Sequence, residues 1–279
     1  MTLATLSEVL QPALKKGYAV AGLVTLGWED MRAYARAAEA EGLPVILQAG
    51  PSCRNHTPLP VLGAMFRALA DSVSVPVVAH LDHGYTFEDC KTALDSGFTS
   101  LMFDGSSLPL AENIDQTARI AEMAHAAGIS CEGEIGFVGY SDGANSEGTA
   151  PAEAAEFAAE TGVDAMAISV GNVHLQQNKE GGLDEDRIRA IEAVTDIPLV
   201  IHGGSGVPVA QRQMLAQTSA ICKFNIGTEL RMAFGTALRD AVARDPDRFD
   251  RVQILSDVEA PLETAARQIL RNLAAKQAS

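Results

Sequence analysis

The chain has 279 residues, 47% of them hydrophobic, and a formal net charge of −15. That length is enough for one barrel-sized domain with a substantial core. The acidic balance argues against nucleic acid or an anionic membrane as partner, and no apolar run approaches the roughly 20 residues needed to span a bilayer. Four cysteines (Cys53, Cys90, Cys131 and Cys222) lie without CxxC spacing, which reads as reduced thiols in a cytoplasmic protein.

Met1–Lys16 reads as an amphipathic helix without the basic start and long apolar centre of a signal peptide. Eight apolar runs of strand length follow: Ala19–Val24, Pro44–Gln48, Pro76–His80, Ser100–Asp104, Ile129–Glu134, Ala165–Val170, Pro198–His202 and Ile221–Ile226. They are continuous rather than alternating, as expected for strands covered on both faces. Stretches with helical spacing lie between them: Trp28–Glu41, Val61–Asp71, Phe87–Ser96, Leu110–Ala127, Ala152–Thr161, Asp184–Val194 and Val209–Thr218. Gly42, Gly97, Gly128 and Gly162 stand where helices end. This alternation predicts an α/β fold, a (β/α)8 TIM barrel. A doubly wound open sheet is the alternative, disfavoured because no nucleotide-type glycine fingerprint follows the first strand. The expected organisation is a single barrel domain over 1–279 with a C-terminal helical extension over about 252–279.

In such a barrel the chemistry sits at the C-terminal ends of the strands. There the sequence places Gln48, Asp82, His83, Asp104, Glu134, His174, His202 and Asn225. Three strand-like runs deliver a histidine to the same end: His83, His174 and His202. Three imidazoles with an open fourth position form a catalytic zinc arrangement. His80 reads as structural, beneath the site. His125, mid-helix, reads as structural or exposed, and His56 as a surface residue in a polar loop. Glu132 and Glu134 share a strand face, and Glu134 is the expected functional one.

The motifs Leu81-Asp82-His83-Gly84, Phe103-Asp104-Gly105-Ser106, Glu132-Gly133-Glu134-Ile135-Gly136, His202-Gly203-Gly204-Ser205-Gly206 and Asn225-Ile226-Gly227-Thr228 are in order along the chain. Together they resemble the class II, zinc-dependent aldolases acting on fructose or tagatose bisphosphate and related ketose phosphates. The likeness runs from about Tyr18 to Arg231. It implies that His83, His174 and His202 hold Zn2+, or another divalent metal, and that the metal stabilises an enediolate. It implies Asp82 as the acid/base at the C4 hydroxyl, with Asp104 and Glu134 around the metal or at an alternative metal position. Gly203, Gly204, Ser205 and Thr228 match the donor-end phosphate site, beside which a monovalent cation is to be tested for. Asn225 and Gln48 match substrate contacts, Arg231 an arginine that catches the far phosphate, and Asp142 a loop acid that shuttles a proton at the donor carbon. Family members are homodimers or homotetramers, so the same is expected here.

The departures from the family pattern lie at the substrate shell. The first strand ends Leu23-Val24 where Phe-Asn is usual. Gln48 is followed by Ala49-Gly50. Leu175 and Asn178 occupy the places of a glycine and a lysine at the donor phosphate, with Lys179 one step beyond. Gly227 replaces an aspartate, as a small residue does in tagatose-type members. Metal set and Asp82 are intact, so the expected enzyme is a carbon–carbon lyase, cleaving a ketose (bis)phosphate or hydroxyketone. A metal-dependent epimerase or isomerase is the second reading, and a non-catalytic metal-binding relative the third.

Overall fold

The structure is a computed structural model describing residues 2–141, 143, 145–178 and 182–274; Asp142 and Lys179 lie outside the described residues. The chain begins with β1 (Leu3–Ala4), α1 (Leu6–Lys16), β2 (Val20–Val24), α2 (Trp28–Glu41), β3 (Val45–Ala49), α3 (Pro51–His56) and α4 (Leu59–Ala70). It continues through β4 (Val77–Gly84), α5 (Phe87–Asp95), β5 (Ser100–Phe103), α6 (Leu110–Ala126), β6 (Ser130–Ile135) and α7 (Pro151–Thr161). The last part comprises β7 (Ala165–Ile168), α8 (Glu185–Glu192), β8 (Leu199–Ile201), α9 (Val209–Thr218), β9 (Ile221–Ile226), α10 (Thr228–Arg244) and α11 (Arg251–Leu273).

Strands β2 to β9 are all parallel and close on themselves: each pairs with the next, and β9 returns to β2 with Gly22 opposite Asn225. This is the (β/α)8 barrel. The predicted helix Met1–Lys16 is shorter than expected, because Leu3–Ala4 pairs with Val77–Val78 as a ninth strand. Thr5 then starts α1 as a capping box, its hydroxyl accepting from the Glu8 amide while Glu8 accepts from the Thr5 amide. Leu6, Val9, Leu10 and Ala13 of α1 plug the N-terminal end of the barrel, packing against Val20, Ile46, Val78, Ala165, Ala167 and Val200. The predicted third strand stops at His80, whereas β4 runs on to Gly84. His56 is not in a loop: Pro51 starts the short helix α3, which carries it on the surface.

Helix α11 follows the barrel proper and packs across α2 and α10. Glu259, buried on α11, pairs with Arg32 and, at 2.8 Å, with Arg36. Arg267 and Arg271 each reach Glu41 at 2.6 Å. No helix among the described residues is long and apolar enough to cross a membrane.

Candidate metal centre

Inside the barrel the side chains form layers, because inward-facing residues recur every second position along each strand. Above the apolar plug lies a buried polar layer. Glu132 on β6 accepts from Lys223 Nζ on β9 at 2.7 Å, and both are fully buried. Lys223 also lies 3.3 Å from His80 Nε2. His80 Nδ1 in turn meets the Ser100 hydroxyl, its register partner on β5, at 2.8 Å. Burial, with Lys223 alongside, pushes the His80 pKa down to about 3, so the ring is neutral. His80 is thus the structural histidine beneath the site that the sequence suggests.

One step up, Asp82, His83, Asp104, Glu134, His174, His202 and Asn225 converge. His83, His174 and His202 each offer a ring nitrogen, and these atoms lie within 4.8 Å of one another; His83, Asp104 and Glu134 form a second such group. Neighbouring residues on an extended strand face opposite ways, so Asp82 and His83 could not share this space on a regular strand. The chain resolves the conflict with a left-handed residue: His83 has φ 53°. Histidine is among the residues that adopt this conformation more often than most. A register irregularity between Leu81 and Gly84 marks the same spot. Arg54 on α3 braces it, donating to the carbonyls of Asp82 at 2.9 Å and His83 at 2.6 Å.

Each imidazole is oriented by a different neighbour. His83 Nδ1 lies 2.7 Å from Asp104 Oδ2. A carboxylate can only accept, so Nδ1 carries the proton and Nε2 is left for another partner. His202 Nε2 lies 3.1 Å from Glu132 Oε1. Its Nδ1, fully buried, has no hydrogen-bond partner among the described residues, and neither has Glu134 Oε2, 3.3 Å away. His174 is held by its backbone, its N–H donating to the Gly139 carbonyl and its carbonyl accepting from Ser141. Its ring stacks on Tyr140 at 4.9 Å.

The electrostatics match this arrangement. Burial disfavours charge on His202, but Glu134 and the hydrogen bond that the ring donates to Glu132 override it and push the pKa up to about 10. Burial opposes charge on His83 as well, yet Asp82 and Asp104 raise its pKa. His174, desolvated beside both, falls to about 3 and keeps a free lone pair. Asp82 is lowered despite burial, by His83 and His202. Protons thus stand where positive charge is wanted. A buried nitrogen and a buried carboxylate oxygen that face each other at 3.3 Å without a hydrogen bond, ringed by two further imidazoles, fit a divalent cation.

The cavity at this mouth encloses about 250 Å³ and is lined by Asp82, His83, His174, Asn225, Gly227 and Arg231, among others. Gly203, Ser205 and Thr228 also reach it. Asn225 Nδ2 donates to Asp82 Oδ1 at 3.2 Å. Gly203 has φ 64°, and a Cβ there would meet the Val173 carbonyl at 2.3 Å, so only glycine fits. The Gly204–Gly206 turn faces the start of α10, where the Ser205 hydroxyl accepts from the amides of Gly227 and Glu229 at 3.2 Å each. A glycine turn beside the N-terminus of a 17-residue helix is a ready anion site.

Some predicted site residues stand elsewhere. Gln48 is fully buried below the cavity floor, folded over Gly22, where a Cβ would sit 1.7 Å from its amide oxygen. Both its amide atoms lack partners among the described residues. Gly204 is buried behind the turn, where a Cβ would meet the Asn225 carbonyl at 3.0 Å. Leu175, in place of the family glycine, keeps a glycine-like φ of 59° and lies on the cavity wall. Three residues that shape the site, Lys223, Tyr140 and Arg54, are not among those the sequence singles out, and a fourth, Glu132, is named there without a role. Lys223 was detectable as one charge inside an apolar strand. Glu132 was visible but set behind Glu134. Tyr140 and Arg54 sit in loop and short helix, where no periodicity marks them.

A model described as "Fructose-bisphosphate aldolase class-II" matches residues 4–278. The chain belongs to this family. It is 38% identical over 262 residues to the fructose-bisphosphate aldolase of Geobacillus stearothermophilus, covering 91% of each chain. It is 37% identical over 285 residues to the 6-phospho-5-dehydro-2-deoxy-D-gluconate aldolase of Shouchella clausii, covering 98% of this chain and 97% of that one. Among solved structures, the YdjI aldolase of Escherichia coli superposes with a TM-score of 0.85 at 29% identity, covering 98% of both chains. The chain is accordingly an aldolase, a carbon–carbon lyase of the metal-dependent class that cleaves ketose phosphates.

Proposed function

We propose that His83, His174 and His202 hold one zinc ion, that Asp82 moves the proton, and that the substrate is a ketose phosphate or bisphosphate. The observation that carries this reading is the convergence of three imidazole nitrogens within 4.8 Å of one another, with Glu134 Oε2 3.3 Å from His202 Nδ1. Once bound, zinc supplies Lewis-acid polarisation of the ketone carbonyl and offsets the negative charge left as the carbon–carbon bond breaks.

The chain's own groups do the rest. Asp82, ionised, accepts the hydroxyl proton on the far side of the breaking bond, and returns it in condensation. Asn225 occupies one oxygen of Asp82 and fixes its direction; the other faces Gly50, where a Cβ would stand 3.3 Å away, so glycine there keeps the oxygen accessible. Asp104 and Glu134 surround the metal, Asp104 by locking the ring of His83. Gly203, Ser205 and Thr228 cradle the phosphate of the ketone half, with Gly204 behind them in the turn and a monovalent cation as a further candidate beside it. Gln48 and Asn225 back the substrate from below, and Arg231 takes its far end. Asp142 and Lys179 are assigned the donor-carbon proton and the phosphate charge. The chain works as one barrel unit, a cytoplasmic homodimer or homotetramer; four buried, unpaired cysteines support a reducing compartment.

Metal analysis and steady-state aldehyde release test this together. Asp82→Asn is expected to keep its zinc and lose about 10²-fold or more in kcat, the range for a positioned proton-transfer group. His174→Ala is expected to lose metal and activity together. Full zinc occupancy in His174→Ala, or zinc lost with activity in Asp82→Asn, would reverse the assignments.

A further inference from the structure

Helix α9 turns Arg212, Leu215 and Ala216 inwards, the spacing of a buried helix face. Two of the three are apolar. The third is an arginine only 2% exposed, among the largest side chains that the core encloses. A charge is rarely buried to this degree unless it is paired. Arg212 Nη1 lies 2.5 Å from Glu229 Oε1 and Nη2 3.4 Å from Oε2, two contacts of one guanidinium with one carboxylate. Its Nε has no hydrogen-bond partner among the described residues. A buried ion pair is poor evidence of added stability, because the cost of desolvating both charges offsets their attraction. Its use is to be sought in what Glu229 adjoins.

Glu229 is the second residue of α10. Its amide donates to the Ser205 hydroxyl at 3.2 Å. Glu229, Ser205 and Thr228 together wall a side cavity of about 210 Å³, and Ser205 and Thr228 wall the mouth as well. A carboxylate therefore stands beside the donors assigned to the phosphate of the ketone half. On its own it would repel that phosphate. The repulsion matters the more because Asn178 stands where the family pattern has a lysine at this phosphate. Arg212 answers it from the core side. Its charge offsets that of Glu229, and its fork engages both carboxylate oxygens.

We propose that Arg212 is a positioning residue for the phosphate of the ketone half. From inside the core it holds and neutralises the Glu229 carboxylate, so that Ser205 and Thr228 present hydrogen-bond donors to the phosphate beside a carboxylate whose charge is cancelled. Arg212 itself touches neither substrate nor metal; it acts through Glu229. The inference rests on the aldolase reading and the phosphate cradle described above.

The test uses the zinc-loaded full chain and three variants: Arg212→Met, Glu229→Gln and the two combined. Calorimetry measures the binding of inorganic phosphate. Condensation with glyceraldehyde compares dihydroxyacetone phosphate with unphosphorylated dihydroxyacetone. A unit charge several ångströms from a phosphate shifts its binding by about 10-fold or more at the effective dielectric of a protein surface. Arg212→Met is expected to weaken phosphate binding by about that factor and to raise KM for dihydroxyacetone phosphate alike, with kcat moved less and KM for dihydroxyacetone unmoved. Glu229→Gln removes the negative charge facing the guanidinium and is expected to tighten phosphate binding. The combined variant is expected to return near wild type. A pair that only held the fold together would weaken binding in both single variants. If Arg212→Met does not fold, Glu229→Gln against the combined variant reads the same charge, and phosphate should bind the former more tightly. Weaker phosphate binding in both single variants, equal binding by Glu229→Gln and the combined variant, or a KM for dihydroxyacetone that moves as far as that for its phosphate would overturn the proposal. Phosphate binding to none of the proteins would overturn it together with the cradle. Phosphate binding in the expected order with no condensation of either ketone would instead overturn the aldolase reading and leave the role of Arg212 standing.

Discussion

Glu132 and Glu134 stand two residues apart on one strand, face the same barrel interior, and live in opposite circumstances. Around Glu132 every polar atom is committed: Lys223, His80, Ser100 and His202 form a closed chain of contacts. Around Glu134 they are not, for its Oε2, His202 Nδ1 and both amide atoms of Gln48 make no hydrogen bond among the described residues. A buried polar group without a partner costs stability. A fold that satisfies one layer and leaves the next open has reserved the open one for something that binds. His202 spans the two, anchored by the closed layer and aimed into the open one.

The contrast can be broken from either side. Lys223→Met strands a buried carboxylate, and removing one partner of such a pair typically costs about 3–5 kcal/mol. Thermal melts of the metal-free protein should show a large fall in Tm. Glu134→Gln removes the carboxylate that favours charge on His202, but that ring can give up its proton, so the Tm should fall less than in Lys223→Met while zinc binding weakens about 10-fold or more, as expected for a group that supports a metal's surroundings. Comparable losses of Tm in both variants would mean that the two layers do not differ.

The closed layer should also set the acid limit of the metal-free fold. His80 is held neutral with its pKa down at about 3. Between its ordinary value and that one, the unfolded chain takes up a proton that the folded chain refuses. Stability is therefore fully present above about pH 6.5 and is lost as pH falls towards 3. The full effect is on the order of 5 kcal/mol. Below the ordinary carboxylate range Glu132 and Asp104, both held ionised by their partners, add a loss of the same sign. Urea unfolding at pH 7.5, 6, 5 and 4 measures the slope, and His80→Asn should flatten its upper part. A wild-type profile flat from 7.5 to 5 would contradict the neutral assignment.

The smallest expected effect is at the rim. Leu175 holds a left-handed backbone that glycine would adopt without strain, so Leu175→Gly should relieve on the order of 1 kcal/mol in the native loop. Part of this returns as added entropy of the unfolded chain. A Tm within a few degrees of wild type, with KM for the ketone phosphate moved more than kcat, is the expected result. A fall in Tm as large as that of Lys223→Met would show that the leucine side chain packs rather than strains.

How much of this was legible beforehand follows from the physics of each part. The barrel could be read because strands covered on both faces are continuously apolar, and a polar residue ending such a run stands out. The mouth residues could be placed because parallel strands deliver their last side chains to one end. The pairing of Glu132 with Lys223 could not, since β6 and β9 are not neighbours and only closure of the sheet brings them together across the interior. Nor could the left-handed turn at His83: periodicity alone puts Asp82 and His83 on opposite faces, and a single backbone angle reverses that. Helix α3 was hidden by its length, too short to show a period, although its Arg54 braces that turn.

Helix α1 closes the far end of the barrel with Leu6 and Leu10, both fully buried, so the interior is a cup and not a tunnel. Traffic through a cup has one door. Metal, ketone half and aldehyde half enter and leave past the same rim, and whatever lies deepest departs last. Occupancy and exchange would thereby be tied together: with an ion held by the three histidines, a seated sugar phosphate would cork it, and the enzyme would guard its ion best while working.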